Sequence, residues 1–227
     1  MMSYPAAVFF DWDGTLVDSY GVLEAAHNHT RKALGFDPLP EGAFASYFGK
    51  PRDLLYNALY PGKFAEAKAE FETFYRANHL QGIRILPGVP EFLEVLDSMD
   101  IPMGVVTNKK GDFIREEINH LGWADYFRAT VGAGDAGEDK PSPKPLLLAI
   151  ERAKVLAPAR DIWMVGDTEN DLLCATGAGC IGILVASADE QKKVLPLAEA
   201  TYTFKNCGEL QEFLLQSRKK EIKGNHI

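Results

Sequence analysis

The sequence lacks long apolar runs and has little cysteine. No stretch approaches the ~18 apolar residues of a membrane-spanning helix, and the N-terminal MMSYPAAVFF has no basic start and too short an apolar run for a signal peptide. Three cysteines without CxxC spacing provide neither a disulfide framework nor a zinc site. We therefore expect a cytoplasmic protein that does not bind a membrane.

Positive charge is also scarce. The net charge is −8, and no long basic stripe precedes the C-terminal SRKKEIKGNHI, so we expect no binding to nucleic acid. The chain of 227 residues is 46% hydrophobic and 25% charged, which is typical of a globular protein with a full core. Nothing in the composition indicates an oligomeric state.

Short apolar runs that suit buried strands alternate with segments of helical periodicity. Because continuous apolar strands alternate with amphipathic helices in parallel sheets covered on both faces, the pattern predicts an α/β protein with a Rossmann-like parallel core. The predicted strands are AAVFF (6–10), PMGVVT (102–107), ATVGA (129–133), DIWMVG (161–166) and CIGILVA (180–186).

One interval interrupts this alternation. Residues 18–83, called here the helical insertion, contain three helical patterns and no convincing strand. Gly35 and Gly82 follow two of these patterns, where glycine often ends a helix. We expect a core of residues 1–17 and 84–227, with the helical insertion leaving the sheet after its first strand.

Polar side chains follow the predicted strands and would meet at one edge of a parallel sheet, where ligands bind in such folds. Several carboxylates without a His or Cys cluster indicate a hard cation, with Mg²⁺ the natural candidate. His27 and His29 have no ligand partners at useful spacing, and we expect them at the surface or at an interface of the helical insertion. The residues after the strands are Asp11, Asp13, Thr107, Asn108, Lys140, Asp167 and Asp171.

These residue types suit the transfer of a phosphoryl group. Asp11, if ionised, can attack phosphorus without a general base, and Asp13 can protonate the leaving oxygen and later activate water. The Thr107 hydroxyl and the backbone N–H groups of a helix beginning after it suit phosphoryl oxygens. Lys140 would offset the negative charge of the phosphate. We expect Lys109, Lys110 and Lys144, the other lysines near this edge, to be solvated or to lie on a helix.

Four stretches carry a resemblance to a known family. DWDGTLVDS, VVTN, KPSPKP and VGDTENDLLCATGAG resemble, in order and spacing, the four motifs of the haloacid dehalogenase-like superfamily of phosphatases. The helical insertion resembles its C1-type cap, and the resemblance extends to about residue 185.

The resemblance implies a role for each matching residue. Asp11 would be the nucleophile that forms an aspartyl-phosphate, and Asp13 the general acid and base. Mg²⁺ would be held by Asp11, by the backbone carbonyl of Asp13 and by Asp167. Thr107 and Asn108 would bind the phosphate, and Lys140 would steady Asp11 and the phosphoryl group. Asp171 would orient waters or Lys140 rather than contact the metal.

The stretch DGTLVDS looks most like the phosphoglycolate phosphatase branch. The family's dehalogenases lack the second aspartate and need no metal, so Asp13 and Asp167 argue against dehalogenation. The expected function is Mg²⁺-dependent hydrolysis of a small phosphomonoester, with 2-phosphoglycolate the first choice of substrate. Two alternatives stay open: a phosphomutase of the β-phosphoglucomutase type, and a non-catalytic binding protein that retains the fold.

Two further predictions concern the helical insertion. Lys50 and Arg52, on a loop before a helix, lie about where the family's caps place a loop that contacts the substrate, so they are candidates to bind a second anionic group. Asp18 is expected to cap the first helix of the helical insertion.

Overall fold

The structure, a computed structural model, describes residues 4–47, 50 and 52–224. Two 3₁₀ turns, Ala43–Ser46 and Ala159–Asp161, accompany the regular elements. In chain order these elements are β1 Ala7–Phe10, β2 Val17–Asp18, α1 Tyr20–Ala33, α2 Arg52–Leu59, α3 Phe64–Gly82, β3 Arg84–Ile85, α4 Val89–Ser98, β4 Met103–Lys110, α5 Gly111–His120, β5 Phe127–Ala133, α6 Lys144–Arg152, β6 Ile162–Gly166, α7 Glu169–Gly177, β7 Ile181–Val185, α8 Ala188–Val194, β8 Tyr202–Phe204 and α9 Cys207–Gly224.

Six strands form one parallel sheet in the order β5-β4-β1-β6-β7-β8. This confirms the predicted α/β class and each of the five predicted strands. The sixth strand, β8, has only three residues and lies at the edge of the sheet. It is too short for its periodicity to mark it in the sequence.

The central strand β1 shows why its residues are all apolar. Val8 and Phe10 point to one face of the sheet, where α4, α5 and α9 supply a core, and Ala7 and Phe9 point to the other face, where α6 and α7 pack. All four side chains are fully buried. A strand covered on both faces has no exposed side on which polar residues could alternate.

The helical insertion leaves and rejoins the sheet domain through a small antiparallel ladder. In that ladder β2 pairs with β3, Val17 opposite Ile85 and Asp18 opposite Arg84. Asp18 also accepts a hydrogen bond from the backbone N–H of Tyr20, the first residue of α1, at 3.1 Å. The predicted contact of Asp18 with the helix start is therefore present, although Ser19 occupies the N-cap position.

The two glycines predicted to end helices have different roles. Gly35 follows α1 with φ at +81°, a left-handed conformation that suits glycine. Gly82 is the last residue of α3, and a Cβ there would collide with the side chain of Val22. Gly82 therefore permits the close approach of α1 and α3, and its place at the helix end is secondary.

Of the two locations predicted for His27, the surface is wrong, and His27 is among the residues that line the cavity between the helical insertion and the sheet. It is 2% exposed in the core of the helical insertion, and its Nδ1 lies 2.7 Å from the hydroxyl of Tyr60. Burial lowers its pKa to about 3, and the charge of Arg31 acts in the same direction. His29, which pairs with Glu70 at 2.9 Å, is exposed as expected.

The three cysteines are free thiols. Cys174 and Cys207 are buried and Cys180 is partly buried. Across residues 4–47, 50 and 52–224, none of the helices is long and apolar enough to cross a membrane.

Candidate active site

Asp11 and Asp167 lie side by side because β1 and β6 are neighbours. Phe10 pairs with Val165, and the backbone N–H of Asp11 donates to the Val165 carbonyl at 2.8 Å. The residues that follow both strands therefore leave the sheet at the same edge. Oxygens from Asp11, Asp167 and Asp171 lie within 4.8 Å of one another there, so the structure brings these three predicted residues together.

Lys140 connects two of these carboxylates. Its Nζ lies 2.7 Å from Oδ1 of Asp11 and 2.6 Å from Oδ1 of Asp171, and it donates to the Val106 carbonyl at 2.8 Å. The side chain is 3% exposed. Burial acts to lower the pKa of Lys140, but the charges of Asp11 and Asp171 outweigh it and raise the pKa above its usual value. Lys140 is therefore a fixed positive charge beside Asp11.

Asn108 positions the backbone of Lys140. Its amide nitrogen donates to the Lys140 carbonyl at 2.9 Å, and its amide oxygen accepts from the Lys140 N–H at 2.9 Å. These two bonds tie the loop that carries Lys140 to the end of β4. The structure therefore gives Asn108 a positioning role in addition to the phosphate contact predicted from the sequence.

Asp171 is held by the start of α7. Its Oδ2 accepts hydrogen bonds from the backbone N–H of Thr168 at 3.0 Å and from its hydroxyl at 2.8 Å, within a capping box. A Cβ at Gly166 would collide with the Asp171 carboxyl group, so only glycine fits at the end of β6. With Oδ2 on the helix cap and Oδ1 on Lys140, Asp171 has the geometry of a residue that orients Lys140.

Asp167 lies in a similar close fit. Gly14 has φ at +85°, and a Cβ on it would collide with the Asp167 carboxylate. The hydroxyl of Thr15 donates to Asp167 Oδ1 at 3.2 Å. The turn after β1 therefore holds the carboxylate that follows β6.

The electrostatics of this cluster favour a cation. Burial raises the pKa of Asp11 to about 6 although Lys140 opposes the rise. Burial, followed by the charges of Asp11 and Asp171, raises the pKa of Asp167 well above its usual value. One ammonium is thus too little positive charge for three clustered carboxylates.

The donor set fits Mg²⁺. Oδ1 of Asp11 is buried. It forms an ion pair with Lys140, but within the described residues it accepts no hydrogen bond. The available ligands are all oxygens, which Mg²⁺ prefers. Asp11 and Asp167 would hold the ion through their side chains, and the predicted contribution of Asp13 is its backbone carbonyl.

The side chain of Asp13 belongs to a different set of contacts. Its Oδ1 lies 2.7 Å from Nζ of Lys109 and also accepts a hydrogen bond from the hydroxyl of Ser19. Asp13 is therefore held apart from the three converging carboxylates, as a group with a separate role would be.

Thr107 lies where predicted, but its surroundings differ from the expectation. The predicted strand ends at Thr107, whereas β4 continues to Lys110 before α5 begins at Gly111. The pairing of β4 with β5 is irregular between Val106 and Lys110, as at a β-bulge. The Thr107 hydroxyl accepts the Lys109 N–H at 3.1 Å within this irregular segment.

Lys109 is the main correction to the site. We expected a solvated side chain, but Lys109 is buried, with Nζ 2.6 Å from Oε2 of Glu117 as well as 2.7 Å from Asp13. Glu117 was not identified from the sequence. Its place among the buried Phe113, Ile114 and Ile118 on α5 was the available signal, because a carboxylate on the apolar face of a helix needs a partner.

The other two lysines near this edge behave differently from Lys109. Lys110 is half-buried and pairs with Glu72 of α3 at 2.7 Å. Lys144 begins α6, as predicted, and forms an exposed ion pair with Glu138.

A cavity of about 570 Å³ lies between the helical insertion and the edge of the sheet. Asp11, Asp13, Thr107 and Lys140 line it from the sheet, and Lys50 lines it from the helical insertion. The Lys50 ammonium lies 5.0 Å from the centre of the Tyr47 ring. Arg52 begins α2, and its side chain lies outside the described part of the chain.

The sequence profile of the haloacid dehalogenase-like hydrolases matches residues 8–185, a range that includes Asp11, Lys140, Asp167 and Asp171. The chain belongs to this family. A phosphoglycolate phosphatase of Neisseria meningitidis serogroup A is 33% identical in an alignment that covers 95% of this chain and 96% of that protein. A phosphoglycolate phosphatase of Vibrio vulnificus strain YJ016 is 27% identical over 92% of this chain and 96% of that protein.

Solved structures agree with this assignment. A HAD-superfamily hydrolase from Ehrlichia chaffeensis has a TM-score of 0.65 and 26% identity, over 95% of this chain and 98% of that one. A predicted phosphoglycolate phosphatase from Haemophilus somnus 129PT shares the fold with a TM-score of 0.81 and 23% identity, over 94% of this chain and 99% of that one. This haloacid dehalogenase-like hydrolase is therefore a phosphatase of the phosphoglycolate phosphatase-like branch, as its motifs predict.

Proposed function

We propose that the chain hydrolyses a small phosphomonoester, with 2-phosphoglycolate the first candidate, through an aspartyl-phosphate on Asp11 and with Mg²⁺ as cofactor. The observation that carries this proposal is the position of Asp11, which lines the cavity while Lys140 and Asp167 flank it. Relatives named phosphoglycolate phosphatase, which match over nearly the full chain, support the choice of substrate.

In the first step a carboxylate oxygen of Asp11 attacks phosphorus and the bond from phosphorus to the leaving oxygen breaks. Lys140 keeps Asp11 in place and offsets the charge of the phosphoryl group. The hydroxyl of Thr107 lines the same cavity and suits a phosphoryl oxygen. Bound Mg²⁺ would supply electrostatic stabilisation of the phosphoryl oxygens.

Asp13 moves the protons. It gives a proton to the leaving oxygen in the first step and takes one from the water that hydrolyses the aspartyl-phosphate in the second. Its separate hydrogen-bond partners, Lys109 and Ser19, suit a group that does this work beside the nucleophile. We further propose that residues 18–83 act as a cap that excludes water from a core of residues 1–17 and 84–227.

The helical insertion contributes to substrate selection. Lys50 lines the cavity on the side opposite the carboxylates, where it can bind a second anionic group such as the carboxylate of 2-phosphoglycolate. Arg52 is proposed for the same role from its place beside Lys50 in the sequence. The cytoplasmic location stays a prediction from the sequence.

A panel of phosphorylated metabolites tests the function. The purified protein is incubated with Mg²⁺ and each compound, and released phosphate is measured with and without a chelator. We expect Mg²⁺-dependent release, fastest from small phosphomonoesters that carry a second anionic group, such as the carboxylate of 2-phosphoglycolate. Conversion of a hexose phosphate to its isomer without release of phosphate would instead favour the phosphomutase alternative.

A further inference from the structure

A buried line of charges runs from Asp13 through Lys109, which also lines the cavity, to Glu117. Lys109 Nζ lies 2.7 Å from Asp13 Oδ1 and 2.6 Å from Glu117 Oε2. The Lys109 side chain is 4% exposed and that of Glu117 is 0% exposed. This line is distinct from the Lys140 cluster, which contacts Asp11 and Asp171.

Glu117 joins this line to the helical insertion. Its Oε1 accepts a hydrogen bond from the hydroxyl of Tyr75 at 3.1 Å and lies 2.8 Å from Nδ1 of His79, and both partners belong to α3. Its Oε2 accepts from Nε1 of Trp12, the residue between Asp11 and Asp13, at 2.7 Å. A carboxylate of the core is therefore held partly by the helical insertion.

Attachment of α3 to α5 does not require this arrangement. Arg76 on α3 already pairs with Asp112 at 2.5 Å and Glu116 at 2.6 Å on the exposed side of the same contact. Burying charged groups is costly, and apolar residues of similar size often give equal or greater stability. A buried charged line that ends on Asp13 therefore suggests a contribution to the chemistry of Asp13.

The contacts on Asp13 show what that contribution is. Lys109 and Ser19 both donate to Oδ1. When Asp13 is protonated, an oxygen that accepts two hydrogen bonds serves as the carbonyl oxygen, so the proton is placed on Oδ2. The two donors thereby fix which oxygen carries the proton and how the carboxyl group is turned.

We propose that Lys109 is a positioning residue that orients Asp13 for proton transfer, and that Glu117 makes this orientation depend on contact with Tyr75 of the helical insertion. The inference rests on the proposed role of Asp13 as general acid. When α3 moves away from α5, Glu117 loses its contacts with Tyr75 and His79, and the hold of Lys109 on Asp13 loosens. Proton transfer is then efficient only while the helical insertion covers the cavity.

The test uses two substrates of nearly equal shape, phenyl phosphate and 4-nitrophenyl phosphate. Phenolate is a poor leaving group that needs a proton, whereas 4-nitrophenolate leaves readily without one. The value of kcat/KM reports the steps up to the aspartyl-phosphate, so loss of the general acid lowers it selectively for phenyl phosphate. A change in folding or binding lowers it for both substrates alike.

The variants separate positioning from folding. Lys109→Met alone leaves the carboxylates of Asp13 and Glu117 without their shared cation, so Lys109→Met is combined with Glu117→Gln, which keeps the net charge. Tyr75→Phe removes only the hydroxyl contact from α3. Tyr60→Phe is its matched control, because the Tyr60 hydroxyl bonds His27 within the helical insertion and Tyr60 lies away from Glu117. Thermal unfolding of each variant confirms that it is folded.

We expect kcat/KM of Asp13→Asn to fall about 100-fold for phenyl phosphate and much less for 4-nitrophenyl phosphate. The double variant should lose about tenfold in kcat/KM selectively for phenyl phosphate, and Tyr75→Phe about threefold. Tyr60→Phe should keep the wild-type kcat/KM on each substrate. Equal losses on both substrates for the double variant, beside a selective loss for Asp13→Asn, would overturn the inference alone. An unselective Asp13→Asn would overturn the general-acid role and the inference with it.

Discussion

Nζ of Lys140 lies 2.6 Å from Oδ1 of Asp171, and both side chains are almost completely buried. Asp171 is the third residue of α7 and is fixed by the capping box with Thr168. The start of a helix therefore sets the position of the ammonium that neighbours Asp11. A local helix-capping motif thus contributes directly to the position of Asp11, the proposed nucleophile.

Replacing Lys140 should destabilise the protein as well as inactivate it. Lys140→Met leaves the buried carboxylates of Asp11 and Asp171 without their shared cation, and we expect a loss of about 3–5 kcal/mol in the free energy of unfolding. The control Lys144→Met removes a pair whose lysine is 56% exposed, at a cost below about 1 kcal/mol. Urea unfolding measures both, and equal small losses would contradict the structural role given to Lys140.

Asp167→Asn should have opposite effects without and with Mg²⁺. Removing one carboxylate from a crowded cluster relieves repulsion, so the metal-free variant should unfold at a higher temperature than the wild type. The wild type should gain about 5 °C in Tm at saturating Mg²⁺, and the variant should gain little. Asp189→Asn, at an exposed position, is the control. If Mg²⁺ raised the Tm of Asp167→Asn as much as that of Asp189→Asn, Asp167 would not be a metal ligand.

Lys50→Ala tests how the substrate is selected. Lys50 lines the cavity, so its loss should lower kcat/KM for 2-phosphoglycolate about threefold to tenfold and leave 4-nitrophenyl phosphate nearly unchanged. Lys32→Ala, at an exposed position on α1 away from the cavity, should affect neither substrate. An equal loss on both substrates in Lys50→Ala would exclude a contact with a second anionic group.

The buried His27 predicts a dependence of stability on pH. Its pKa is about 3 in the folded protein and about 6.5 when unfolded, so only the unfolded chain takes up this proton between those values. Above pH 6.5 the imidazole is neutral in both states and does not lower the free energy of unfolding. Below pH 6.5 the free energy of unfolding falls as the pH drops, by up to about 1.4 kcal/mol per pH unit. His27 faces Tyr60, Arg31 and the rings of Phe44 and Phe71.

His27→Gln should therefore flatten the dependence of the free energy of unfolding on pH between 6.5 and 5. His29→Gln, which changes an exposed histidine of the same helix, should keep the wild-type slope. Urea unfolding at several pH values measures the three slopes. The explanation is wrong if His27→Gln and the wild type have the same slope.

The sheet and the cluster at its edge could be predicted from the sequence because each depends on a regular local pattern. A strand buried on both faces, such as β1, must be a continuous apolar run. In a parallel sheet the residue after such a strand reaches a common edge. These two rules were enough to bring Asp11 and Asp167 together, whereas the choice of Lys140, in the loop after β5, also rested on the resemblance of KPSPKP to a motif of the family.

The remaining features depend on contacts that no local pattern records. Lys109 follows the polar Asn108 in the sequence and gives no sign of burial, because its partner Glu117 lies on α5 and is held by Tyr75 of α3. The burial of His27 depends in the same way on the packing of three helices. Strand β8 depends on its pairing with β7 and on the packing of Tyr202 and Phe204 against Phe213 of α9.

The aspartyl-phosphate on Asp11 is the central claim, and trapping it is the most direct test. Asp13→Asn slows hydrolysis of the intermediate, so this variant is mixed with 4-nitrophenyl phosphate and Mg²⁺, quenched rapidly and digested for peptide mass spectrometry. We predict one phosphoryl group on the peptide that contains Asp11, with none when Asp11→Asn is added. Steady turnover by Asp13→Asn with no phosphoryl group on Asp11 at any time would contradict the account.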